Sequence, residues 1–175
     1  LKQKKLKALH IASHSFFLPY QSKHENPLLR SGIVLAGANH PESNPKDDGY
    51  LTALEVTGLD LKGTALVVVS GCDSGKGVIQ SGEGVYGLRR AFTVAGARST
   101  LLSLWEIDDR ATAVFMGSFY QKLKEGQGTA KALLATQKEF REGRITSGND
   151  LMDWSEPYYW AAFQLSGDWR PIKDL

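Results

Sequence analysis

A thiol and an imidazole occupy matching places in this sequence. Cys72, the only cysteine, follows the run Leu66-Val67-Val68-Val69-Ser70-Gly71, and His14 follows the shorter apolar stretch Leu6 to Ala12. Covalent catalysis by a thiol needs an exposed nucleophile, a base within reach and backbone donors for the oxyanion that forms. Gly71, Ser74 and Gly75 are small enough to let a substrate chain approach Cys72 closely. If the two stretches are neighbouring parallel strands, both side chains emerge at one carboxyl edge, where open α/β sheets place their sites. The competing reading of Cys72 is a small buried hydrophobe, which fits poorly with its Gly- and Ser-rich flanks. The competing reading of His14 is a loop histidine bonded to backbone. His10, inside the first stretch, reads as a packing residue. Sequence order alone leaves the Cys72–His14 pair open.

Two phosphate-binding patterns overlap this region, and neither holds. From Gly71 only Cys72, Asp73 and Ser74 precede Gly75-Lys76, one residue short of a P-loop, and Gly77 supplies no hydroxyl for magnesium. Gly82-Glu83-Gly84-Val85-Tyr86-Gly87 matches the dinucleotide pattern, with Glu106 and Asp108 near the usual acidic distance. That mechanism needs the first glycine at the strand end, whereas a long loop separates Val69 from Gly82. The plainer reading is a helix start whose glycines allow close backbone approach.

The elements that must hold these residues alternate in type. Leu6 to Ala12 reads as a strand, and Phe16 to Asp48 as a loop broken by the apolar run Ile33 to Ala36, which suits a brief strand. Leu51 to Leu61 suits a short helix. Leu66 to Val69 is continuous and β-branched, as in a central parallel strand covered on both faces. Val85, Leu88, Phe92 and Ala95 fall at helical spacing, with Gly96 as the stop. Ser99 to Leu104 is a further strand. Arg110 to Lys124 is a helix with Met116, Phe119, Tyr120 and Leu123 on one face. A third helix carries Ala130, Leu133, Leu134 and Phe140. Tyr158 to Leu165 reads as a final strand before Gly167. This order predicts a single α/β domain over residues 1–175 with a mainly parallel sheet. The chain begins with Leu1 and turns apolar at once, which reads as part of a longer protein and leaves the first strand without native neighbours.

Composition narrows the partners. The chain has 175 residues, 42% hydrophobic and 23% charged, with a formal net charge of +2. That balance, with basic residues clustered only at Lys2, Lys4, Lys5 and Lys7, argues against nucleic acid. No apolar run approaches membrane-spanning length. One cysteine allows no internal disulfide, so a reducing, cytoplasmic location is expected.

Taken together, His10-Ile11-Ala12-Ser13-His14, VVVSGCDSG, GEGVYGLRRAFTVAGARSTLLSLWEIDDRAT and YYWAAFQLSGDW resemble a CHAT domain, a caspase-like cysteine peptidase of clan CD. The Ser-Gly-Cys-Asp-Ser-Gly and Leu104 to Asp109 segments are also similar to separase. The resemblance covers most of Leu6 to Trp169. It implies a three-layer α/β/α sandwich whose complete form carries strands before Leu6, so that residues 1–175 are the domain or its C-terminal part, a dyad of Cys72 as nucleophile and His14 as acid–base, and an oxyanion site built from the backbone N–H groups of Ser15 and Cys72. It also implies protein or peptide substrates, no metal or other cofactor, and a tetratricopeptide-repeat or other regulatory region in the same or a partner chain. The family usually has Gly where Ser15 stands, and more often Ala where Gly71 stands. Asp108 and Asp109 follow the strand that walls the S1 pocket in clan relatives, which implies cleavage after Arg or Lys; the alternative is that Asp108 caps a helix and Asp109 sits in its first turn. Asp73 is a third acidic candidate. A non-catalytic caspase-like docking module is the competing functional class.

Overall fold

The computed structural model describes residues 6–18, 26–40, 48–71, 83–145 and 153–173. Lys2, Lys4, Lys5, Cys72 and Asp73 lie outside the described residues. The chain runs β1 (Ala8–Ile11), β2 (Ser15–Phe17), a 3₁₀ turn (Pro27–Leu29), β3 (Ser31–Val34), β4 (Tyr50–Thr52), α1 (Ala53–Val56), β5 (Leu66–Val69) and α2 (Glu83–Val94). It continues through β6 (Ser99–Ser103), α3 (Asp109–Lys124), α4 (Thr129–Arg141), α5 (Pro157–Trp160) and β7 (Phe163–Gly167).

The main sheet has the order β1-β5-β6-β7. β1, β5 and β6 are parallel, and β7 returns antiparallel to β6. The alternation of side chains along a strand sorts β5 between two cores. Leu66 and Val68 pack with Ala111, Phe115, Phe119 and Phe140 of α3 and α4. Val67 and Val69 pack with Ala53 and Val56 of α1 and with Leu88 and Phe92 of α2. Leu101 and Leu102 of β6 divide in the same way. Helices therefore cover both faces, which is why the parallel strands read as unbroken apolar runs, and the result is a three-layer α/β/α sandwich. Helix α2 stops where Gly96 takes φ +105°, a left-handed turn that glycine adopts without steric cost.

Three readings of the sequence are revised. The brief apolar run at Ile33 belongs to β3, but it has partners the sequence did not show: β2 just before it, and β4 at the start of the stretch that suited a helix, form with it a separate antiparallel sheet in the order β2-β3-β4. Its strands of three or four residues are too short for a period to show. The strand expected from Tyr158 starts only at Phe163, because Pro157 opens a helical turn closed by the bond from Ala161 N to Pro157 O. A continuous apolar run cannot tell those two conformations apart. Leu134, counted with the apolar residues of the third helix, is 65% exposed.

Phe115 is fully buried, stacked on Phe163 at 4.2 Å and close to Phe140 at 5.2 Å. Phe115→Ala should lower stability by about 3–5 kcal/mol, whereas Leu134→Ala should change it by less than about 0.5 kcal/mol. Urea denaturation midpoints of the two variants check both values.

Candidate functional site

A cleft of about 550 Å³ opens where β1, β5 and β6 end, lined by His10, Ser13, His14, Ser70, Gly71, Trp105, Glu106 and Asp109 among others. The parallel register sets its floor. Ile11 pairs with Val69, so the two strands finish level, and Ser70 N donates to Ile11 O at 3.1 Å. His14 is exposed at this edge. Its carbonyl accepts from Val34 N at 2.8 Å, and the neighbouring Ser13 hydroxyl donates to Val34 O. The histidine thus stands on a link between the two sheets.

Gly71, the residue before Cys72, lies directly against this segment. A Cβ added to it would overlap the Ser13 carbonyl and come within 3.2 Å of His14 N. Both obstacles are main-chain atoms, so no change of rotamer could relieve them. This explains glycine at a position where the resemblance more often shows alanine. Ser15 is buried at 2% exposure, and its hydroxyl donates to Gly71 O at 2.7 Å.

The structure brings His14, Ser15 and Gly71 together at one edge. It separates the two acids of the following turn. Asp108 is the N-cap of α3, and its carboxylate accepts from Ala111 N at 2.9 Å. Asp109 lies in the first helical turn and lines the cleft, as does Glu106, and both are exposed. Trp105 on the same wall is held by its indole N–H donating to Tyr158 O at 3.0 Å. A second, more open depression involves Arg98, Asp168, Trp169 and Arg170. It lies at the opposite sheet edge, and both arginines pair there with Asp168. Among the described residues no three His, Cys, Asp or Glu side chains gather closely enough to hold a metal ion.

Two residues of the cleft escaped the sequence. His10, read as packing, turns its Nε2 to Ser70 Oγ at 2.8 Å. The signal was strand parity: Leu9 and Ile11 face the α1–α2 core, so His10 faces the other side, as Ser70 does. Its ring lies 5.6 Å from that of Tyr120 on α3. This partial burial disfavours the imidazolium and holds the His10 pKa below its usual 6.5, while burial pushes the Tyr120 hydroxyl up to about 12. Glu106 was weighed only as a ribose ligand, and its position on the cleft wall depends on how the chain turns after β6.

Fold and cleft together define a class: a mainly parallel α/β sandwich of caspase type, with its candidate site at the carboxyl edge of the sheet. The CHAT domain family model matches residues 1–168. The chain belongs to that family, a caspase-like domain related to cysteine peptidases. Human tetratricopeptide repeat protein 28 is 31% identical over 131 residues, which is 75% of this chain and 5% of the relative. The mouse protein of the same name is 31% identical over 123 residues, covering 70% and 5%. The chain thus spans about 5% of the length of these curated relatives. No helix among the described residues is long and apolar enough to cross a membrane.

Two outcomes test this geometry. Gly71→Ala should cost about 1–3 kcal/mol, the usual cost of forcing extra volume into a packed site, read as a fall in the urea midpoint. The second concerns pH. Because the folded pKa of His10 is lowered, the unfolded chain takes up its proton first as the pH falls. Stability from this residue is therefore fully present above pH 6.5 and is lost as the pH drops through the folded value. His10→Gln keeps a polar group near Ser70 but cannot titrate, so its stability should fall less steeply as the pH drops below 6.5. Every other group is common to the two proteins, so the difference between the two curves isolates His10.

Proposed function

We propose that this domain is a cysteine endopeptidase in which Cys72 is the nucleophile and His14 its acid–base partner. One observation carries the reading. The main chain of Gly71, the residue leading into Cys72, packs against the peptide group that joins Ser13 to His14, and both His14 and Gly71 line the cleft. Successive Cα atoms are about 3.8 Å apart, which supports a thiol one residue beyond Gly71 acting together with His14.

The chemistry follows from thiol and imidazole. With the thiol proton held by His14, the Cys72 thiolate attacks the scissile carbonyl carbon, and the backbone N–H groups of Ser15 and Cys72 receive the developing oxyanion. As the C–N bond breaks, His14 gives the proton to the departing amine, leaving an acyl-enzyme. His14 then takes a proton from water, whose oxygen attacks the thioester, and the thiol is regenerated with release of the acid. A reducing, cytoplasmic compartment suits a lone reactive thiol.

Substrates would be protein segments with Arg or Lys at P1. Asp109 and Glu106 support this preference, since both carboxylates line the cleft. A planar guanidinium matches a carboxylate in a bidentate pair and favours Arg over Lys. The Asp108 carboxylate is engaged at the start of α3, which makes it the weaker candidate, and Asp73 remains a further acid beside the nucleophile. The names of the relatives support a tetratricopeptide-repeat region as the regulatory partner, in the same chain or another.

A panel of fluorogenic peptides varied at P1 tests the reading. Cleavage after Arg and Lys is expected, and Cys72→Ala should abolish it without changing the denaturation midpoint. Asp109→Asn or Glu106→Gln should lower kcat/KM for Arg about tenfold, or about 1.4 kcal/mol. Asp108→Ala should instead cost about 1 kcal/mol of stability as a lost cap and leave the P1 ranking intact. Preference for P1 Asp would overturn the specificity, and undiminished cleavage by Cys72→Ala would overturn the mechanism. A folded wild-type domain that cleaves no peptide would leave a caspase-like docking module as the better reading.

A further inference from the structure

We propose that the Ser15 hydroxyl is a positioning group for the oxyanion site, orienting the peptide group that joins Gly71 to Cys72. The inference rests on the cysteine peptidase reading and assigns that centre a residue acting through its side chain. A peptide group is planar and trans, so anchoring its carbonyl oxygen restrains the N–H at its other end. The Gly71 oxygen accepts from Ser15 Oγ at 2.7 Å, and the N–H across that peptide bond is the Cys72 donor required by the mechanism. Ser15 thereby serves both oxyanion donors, one through its own main chain and one through its hydroxyl.

The anchor is itself well held. Ser15 begins β2, pairs with Ile33 of β3 and is 2% exposed. The preceding carbonyl, that of His14, accepts from Val34 N at 2.8 Å. The hydroxyl is therefore carried by a sheet strand, a more precise support than a loop. From the other side, His10 Nε2 holds Ser70 Oγ at 2.8 Å. At a position where the family usually has glycine, serine gives up some backbone freedom and adds a hydrogen bond that glycine cannot make.

The test compares the wild-type chain with Ser15→Ala, Ser15→Gly and Ser15→Thr, using a peptide with P1 Arg and, separately, iodoacetamide. Amide hydrolysis places negative charge on the carbonyl oxygen. Alkylation displaces iodide at a tetrahedral carbon and forms no oxyanion, so it reports the thiol–imidazole pair alone. Cys72 is the only cysteine, which makes the labelling unambiguous. Ser15→Ala and Ser15→Gly should lower kcat about tenfold, with KM and the alkylation rate within about twofold of wild type, because misdirecting one oxyanion donor weakens transition-state binding only. Ser15→Thr, which keeps the hydroxyl, should recover most of kcat. Unchanged kcat in Ser15→Ala would overturn the proposal. So would kcat and alkylation falling together, which would mark a purely structural role. If the wild type alkylates slowly and cleaves nothing, the peptidase reading itself fails and this proposal falls with it.

Discussion

At the end of β5 there is room for a hydrogen atom and nothing larger. The main chain of Gly71 packs against the carbonyl of Ser13 so closely that a Cβ would overlap it, and the obstacle is backbone on both sides. This approach exists because β1 and β5 run parallel and finish level, with Ile11 opposite Val69. The rest of the cleft depends on it. It brings the segment carrying His14 and Ser15 beside the residues leading into Cys72, although 58 positions separate the histidine from the cysteine in the sequence numbering.

The layers behind the cleft keep that juxtaposition in place. β5 contributes alternate residues to two cores, one under α3 and α4 and one under α1 and α2. Sliding β5 by one residue would exchange those two sets of side chains, so the register that levels the strand ends is also the one that fills both cores. The second sheet locks the other side. Val34 is bonded to both Ser13 and His14 in opposite senses, its N–H donating to the His14 carbonyl and its carbonyl accepting from the Ser13 hydroxyl. The wall is set by the turn from β6 into α3, where the Asp108 cap leaves Glu106 and Asp109 on the cleft.

Much of the architecture was legible because it rests on local patterns. The four apolar residues from Leu66 to Val69 announce a strand covered on both faces, and all four are buried. The helical spacing of Leu88 and Phe92, with Gly96 beyond, marks α2 and its end, and Met116, Phe119 and Leu123 mark the inner face of α3. Of the short antiparallel sheet only the apolar run at β3 was legible, since the three residues of β2 and of β4 carry no period. Nor was the helical turn at Pro157, where an apolar run suits either conformation.

What the sequence determined by itself was the alternation of strands and helices, the glycine stop after α2, and the chemistry available: one thiol, an imidazole beyond a strand, and acids beyond another. These are properties of single segments, governed by side-chain volume, branching and polarity. The tertiary structure decided which of them meet. It turned His10 toward Ser70, gave the carboxylate of Asp108 to a helix end while leaving that of Asp109 at the cleft, and set the Ser15 hydroxyl on the Gly71 carbonyl. Each outcome depends on a strand register or a turn direction that brings distant backbone within hydrogen-bonding range, and those distances are set by packing across the whole sandwich, not by any stretch of sequence alone.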